Sequence, residues 1–169
     1  NGYRQEGFAR FDRNLHRGRR LSAARAYLHP VEDRPNLEVV CRAQVDRIVF
    51  DGRRAVGVEY RTRSPMRRGA GSRQRALGGE ILCCGGAINS PALLQLSGVG
   101  DAGVLRPLGI DVVADLPGVG ENLQDHLEVY IQHACRQPVS MAPALKWRNR
   151  PWIGFQWLFF RGGPGATNH

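Results

Sequence analysis

The residues whose types and spacing could do chemistry concentrate at 80–100, EILCCGGAINSPALLQLSGVG. Gly85, Gly86 and Ala87 keep side chains away from a point where the backbone must turn. Ser90 is a good helix N-cap, and Pro91 suits a first helical position, where its missing N–H costs nothing. A small-residue turn feeding a capped helix aims free backbone N–H groups at an anion. The chemistry expected is that of holding a phosphate or a dinucleotide. Gly98-Val99-Gly100-Asp101-Ala102-Gly103 spells GxGxxG. That fingerprint needs a strand before it and a helix after it, and here a predicted helix precedes it, so it is read as a helix end followed by a cap. Asp125-His126 has the types of an acid–base dyad. Adjacent residues rarely orient each other, and no nucleophile is close in sequence, so a structural role is expected. His16, His29 and His133 are isolated and receive no role, whereas a substrate-side role stays open for His169 in its glycine-rich stretch. Cys41, Cys83, Cys84 and Cys135 lack metal-ligand or disulfide-framework spacing, and are expected as buried free thiols of a reducing compartment.

The elements that must position these residues follow from periodicity and punctuation. The apolar run 81–84 predicts a buried strand entering the turn, and the helix after Pro91 runs through Leu96 to end at Ser97-Gly98. Upstream, 1–20 reads as loop anchored by Phe8 and Phe11, 19–28 as a short helix, and 37–41 as a strand. Residues 45–50 and 55–63 flank Asp51-Gly52 and predict a hairpin. Residues 64–75 read as a Pro/Gly/Ser/Arg turn carrying Arg67, Arg68, Arg73 and Arg75. Downstream, Asp101 caps a helix through Leu108 with Gly109 as its terminal glycine, 111–115 is a short strand, and 116–126 is a loop. Residues 127–135 alternate, with Val129 and Ile131 on one face and Glu128 and Gln132 on the other, and are expected to join a sheet. Pro151 opens a last helix, whose Trp152, Ile153, Phe155, Trp157, Leu158 and Phe159 read as core-like.

Composition limits the function classes. The chain of 169 residues is 42% hydrophobic and 23% charged, ordinary for a globular protein. No apolar run approaches the ~18 residues of a membrane span. The net charge of +9 is almost all arginine, with Lys146 the one lysine, a bias that codon usage also produces. The arginines of 61–75 lack interleaved aromatics and are read as a solvated surface loop. A basic nucleic-acid-binding module is the rival reading of another class, and it predicts salt-dependent binding. The first residues show neither an initiator methionine nor a signal peptide, so the chain is expected to start mid-protein or after processing.

The run Gly86-Ala87-Ile88-Asn89-Ser90-Pro91-Ala92-Leu93-Leu94-Gln95-Leu96-Ser97-Gly98-Val99-Gly100 resembles the second signature of the glucose–methanol–choline (GMC) family of flavin oxidoreductases. That signature is a small pair, two free positions, Ser/Thr-Pro, an aliphatic helix, then Ser-Gly-aliphatic-Gly. RAVGVEY at 54–60 and LPGVGENLQDH at 116–126 agree with it. Within the family the likeness is greatest to bacterial choline-oxidising members. It is carried by NGYRQEGF (1–8), RPNLEVV (34–40), NLQDHLEVYIQ (122–132), QPVSMAPALKW (137–147) and GATNH (165–169). The chain departs from the family at 64–74, and at Cys83-Cys84-Gly85, where an alanine-glycine sequence is more usual.

The resemblance implies an α/β (α+β) fold. Residues 1–126 would be part of a doubly wound FAD-binding domain whose N-terminal GxGxxG unit lies upstream, and 127–169 the start of an antiparallel-sheet substrate domain. It implies FAD as cofactor and a small alcohol as substrate. Choline would go to betaine aldehyde, and on to glycine betaine, by hydride transfer. Other alcohol dehydrogenases or oxidases of the family are the alternatives, and a non-catalytic scaffold with the family fold is another. The catalytic histidine and its partner are expected downstream of His169, so this piece alone is expected to be inactive. The resemblance puts the Val45 backbone against the adenine, Gly86, Ala87, Ser90 and Pro91 at the dinucleotide crevice, and Asn122 and His126 near the flavin or a domain junction. Trp147, Trp152 and Trp157 could face choline's cationic head by type, though core packing is the plainer use of each. No metal and no nucleic acid are expected. The expected location is the cytoplasm or the inner face of the cell membrane, since the aromatic helix permits peripheral membrane association.

Overall fold

The computed structural model describes residues 6–7, 12–62, 71–131, 133–134, 136–137 and 140–166. Phe8, Phe11, Arg67, Arg68, Gln132, Cys135 and His169 lie outside them. The chain divides into two compact units, Val40–Glu128 and a second made of Asn1–Val39 with Val129–His169.

The second unit begins with a hairpin of β1 (Leu15–His16) and β2 (Arg19–Arg20). Its two central residues, Arg17 (φ 49°) and Gly18 (φ 68°), both lie in the left-handed region, as a type I′ turn demands. A helix was expected over 19–28, but the hairpin takes its first residues, and only a π-turn at Ala24–Leu28 remains. Residues 37–41 were expected as a strand and have no ladder; Val39 and Val40 are exposed. The C-terminal helix of this unit, Arg150–Phe160, opens on Pro151 as expected. Its aromatic face is not a core. Trp152, Phe155, Leu158, Phe159 and Phe160 are exposed, and Phe155 packs against Trp152 and Phe159 on the surface. Trp157 turns inward, and its indole N–H donates to the Gly18 carbonyl at 2.8 Å. Residues 129–131, expected in a sheet, are exposed and form no strand, and the same holds for 127–128 of the first unit.

The first unit is built on the predicted hairpin. Strand β3 (Ala43–Asp51) pairs antiparallel with β4 (Arg54–Thr62) around Gly52-Arg53. Gly52 has a φ of 56° and Arg53 does not, the pattern of a II′ turn, whose twist matches the strands it joins. A third strand, β5 (Arg73–Leu77), adds to β4, so the sheet order is β3-β4-β5. This corrects the reading of 64–75 as a turn. β5 is exposed on both faces, so its composition, RQRAL, carries no hydrophobic alternation. The register slips between Val45 and Arg47, leaving Asp46 as a bulged residue.

Helix α1 (Gly86–Leu96) packs against β3. It starts four residues ahead of the Ser90 cap expected from sequence, so Ser90 and Pro91 lie inside it. Gly86 opens it with a φ of 82°, where glycine alone turns without steric cost. The Ser90 hydroxyl reaches back to accept the Gly85 N–H at 2.9 Å, so it still serves the helix entry from inside the first turns. After α1, Gly98 (φ 87°) turns the chain into β6 (Val99–Gly100), which pairs parallel with β7 (Ala114–Asp115). The expected strand at 111–115 is thus shortened to its last two residues. Asp101 caps α2 (Ala102–Leu105), accepting from Gly103 N–H at 2.7 Å, and Gly109 (φ 73°) ends the following 3₁₀ turn. The GxGxxG letters therefore spell a helix end and a cap, as read. Ile48, Val99, Ala102 and Leu105 are the buried apolar residues among those described, Leu105 being 1% exposed.

The predicted buried strand at 81–84 forms no ladder, with Leu82 77% exposed. A strand needs a neighbour to take its N–H and C=O groups, and none of the described strands pairs with it. The same exposure corrects the buried thiols: Cys41, Cys83 and Cys84 are all free and exposed.

Candidate cofactor cleft

The outer strand β3 and the entry to α1 enclose a cleft of about 410 Å³. Gln44, Val45 and Val58 line one wall, and residues 81–85 with Asn89, Ala92 and Leu93 line the other. β3 pairs on one edge only, so part of its backbone is free of ladder bonds. Val45, Val58, Ala92 and Leu93 give it apolar lining beside the amides of Gln44 and Asn89, the turn at Gly85-Gly86 is bare, and a Cβ on Gly86 would meet nothing within 4 Å. A cleft of this size, with apolar side chains, two side-chain amides and backbone at its edge, suits a flat heteroaromatic ring.

Of the residues singled out from sequence, Val45 lines the cleft itself. Gly86 and Ala87 continue directly from its Gly85 wall, and Ser90 fixes that wall through the Gly85 N–H. Pro91 lies in the following turn of α1. Asn122 and His126 do not line it. Asn122 takes a left-handed φ of 56°, and both are exposed in the irregular run after residue 120. Asp125 Oδ1 accepts the backbone N–H of His126 at 2.7 Å, which engages the carboxylate with main chain rather than with the imidazole. Cys83 and Cys84 both line the cleft.

A second cleft, of about 500 Å³, lies where β3 meets the C-terminal end of α1 and residues 109–113. Arg47 and Arg75 stand at its rim, and both are paired with Glu59, at 2.9 and 2.8 Å. Held by Arg47 and Arg75, the Glu59 carboxyl is pulled down to about 2. Arg61 grips Asp46 through two bonds of 2.7 Å, which hold the Asp46 carboxyl below its ordinary range. Arginines 61 and 75 of the basic cluster are thus engaged within the sheet. Among the described residues, no three potential metal ligands come together, and no helix is long and apolar enough to cross a membrane.

Sequence reasoning missed Ser97. It reads there as a helix terminator, yet it is buried, accepting the Ile48 N–H at 2.8 Å and donating to the Leu93 carbonyl at 2.6 Å. Its partner Ile48 is 49 positions away, beyond the reach of any local pattern.

Known proteins resemble this chain in sequence and in fold. The chain is 53% identical over all 169 residues to an oxygen-dependent choline dehydrogenase of Staphylococcus haemolyticus (strain JCSC1435), and covers 28% of that protein. It is 52% identical over the same length to the protein of that name from Staphylococcus aureus (strain JH9), again covering 28%. Among solved structures, an FAD-dependent oxidoreductase from Chaetomium thermophilum superposes with a TM-score of 0.68 at 28% identity, over 88% of this chain and 25% of that one. The chain thus spans about 28% of the length of the curated relatives it matches. The family model for GMC oxidoreductases matches residues 1–128, which include the whole of the cleft, and with its mixed helix-and-sheet fold the chain belongs to the GMC oxidoreductase family.

Proposed function

We propose that this chain is a segment of a longer FAD-dependent alcohol oxidoreductase, and that it supplies the adenine-side wall of the flavin site. The observation that carries the reading is the cleft between Val45 and the Gly85–Gly86 turn, in a chain whose family is built around a flavin. FAD, when bound, supplies the two-electron acceptor for alcohol oxidation. The residues here have holding work. The edge of β3 at Val45 presents backbone groups able to read an adenine edge. Gly86, beside Ala87, lets the ligand approach the main chain, since no Cβ intrudes. Ser90 keeps the Gly85 peptide oriented, with Pro91 behind it in α1. Asn122 and His126 belong, in this reading, near the flavin or the domain junction.

The substrate of the longer enzyme is choline, taken to betaine aldehyde and on to glycine betaine. The likeness over the whole chain to proteins named choline dehydrogenase supports this. Residues 1–126 are assigned to the FAD-binding domain and 127–169 to the start of the substrate domain. The groups that take the substrate's proton are placed outside this chain, so the chain alone is expected to turn over no alcohol. The location proposed is the cytoplasm or the inner face of the cell membrane. The test is to express the longer enzyme and record its flavin spectrum and its rates on choline and on aliphatic and aromatic alcohols. Bound flavin with preferential choline turnover is the expected result. Flavin with no choline turnover sinks the substrate, and no flavin sinks the whole reading.

A further inference from the structure

Ser97 and Glu59 are the buried polar residues among those described, and the Ser97 hydroxyl is used twice. Its proton goes to the Leu93 carbonyl one turn back in α1, at 2.6 Å, which aims a lone pair at the Ile48 N–H, 2.8 Å away. Ile48 is the buried residue of β3, three positions beyond Val45. Because β3 pairs with β4 on one edge only, the Ile48 N–H bonds to Ser97 instead of a strand. The chain reversal after α1 does not need a serine, since Gly98 makes it with a φ of 87°. A hydroxyl at this point therefore serves the link between strand and helix, and those two elements carry the two walls of the cofactor cleft.

We propose that Ser97 is a positioning residue that sets the width of the cofactor cleft, pinning β3 to the last turn of α1 so that Val45 stands at a fixed distance from the Gly85 turn. The proposal rests on the flavin reading above. The second cleft gives it a distinctive signature. Ser97 lines that cleft, so removing the hydroxyl opens a route for water to the Ile48 N–H. A water there would satisfy the donor without tying it to α1, and the geometry would loosen while the fold persists.

The test compares Ser97→Ala, Ser97→Thr and Leu105→Ala, the last removing a buried side chain of α2 that lines neither cleft. Amide exchange at Ile48 is measured in this chain, and FAD affinity in the longer enzyme. Ser97→Ala is expected to speed Ile48 exchange and weaken FAD binding, each about tenfold, the size of one lost buried hydrogen bond. Ser97→Thr keeps a hydroxyl and restores both, while Leu105→Ala destabilises the unit and leaves FAD affinity within about twofold. Unchanged Ile48 exchange in Ser97→Ala overturns the clasp. Equal loss of FAD affinity in Ser97→Ala and Leu105→Ala, or no rescue by threonine, overturns the positioning role. If the unsubstituted enzyme takes up no FAD while Ile48 exchange responds as expected, the flavin reading has failed and the cofactor role falls with it.

Discussion

Glu59 shows what a single residue contributes. It sits mid-strand in β4 with its carboxylate covered and held between Arg47 and Arg75. Its folded-state pKa, about 2, lies below the ordinary 4.5, so the ionised form is the one folding favours. Its contribution to stability is therefore complete above pH 4.5 and is lost as the pH falls from there toward 2. Thermal melts between those limits should show the decline, and Glu59→Gln should flatten that part of the curve while lowering the melting temperature at neutral pH. A decline of equal steepness in the glutamine variant would assign it to other carboxylates. This residue's role was not legible in sequence. Glu59 and Arg75 are 16 positions apart, and the strand that brings Arg75 alongside reads as a turn.

At the scale of the element, local chemistry was legible wherever short-range sterics decide it. Asp51-Gly52 announced the hairpin, Asp101 its helix, and Pro151 the start of the aromatic helix. The entry to α1 was misjudged because Ser90 has the type of an N-cap, while the positive φ of Gly86 is what turns the chain. Gly86→Ala should cost about 1–2 kcal/mol of stability, the penalty of a Cβ in the left-handed region, and should also weaken FAD binding by the longer enzyme. Urea denaturation checks the first, and a neutral result would mean that the turn relaxes freely. In the second unit, Trp157→Phe removes the donor to the Gly18 carbonyl but keeps most of the ring's apolar bulk. The expected loss is about 1 kcal/mol, seen as accelerated exchange or melting of that unit alone. A loss shared equally by both units would contradict it.

At the scale of the whole molecule, apolar side chains remain uncovered. Leu127 is 98% exposed and Trp147 81%, and Leu82 stands out on a segment with the composition of a buried strand. Covering such side chains with other protein would take their apolar area out of water. The chain spans about 28% of its curated relatives' length, so the rest of a longer enzyme is the covering expected. The chain alone should then bind an apolar fluorescent dye strongly, and the longer enzyme should bind far less per molecule. Equal dye binding by both would show that these side chains stay open in the enzyme too.

By itself the sequence determined the family, through the spaced run Gly86–Leu96 with its Ser97-Gly98-Val99-Gly100 close, and it determined the turns and caps. Those features depend on φ preferences and on side chains bonding their own neighbours, which act over a few residues. Only the tertiary structure decided which polar groups are buried together. It set Ser97 against Ile48, stood Glu59 between Arg47 and Arg75, and brought Val45 across from the Gly85 turn. Burial and pairing at those distances depend on how strand packs on helix, and no local window of sequence contains both partners. The same limit explains the unladdered run 81–84: its composition asks for a ladder, and a ladder needs a second strand.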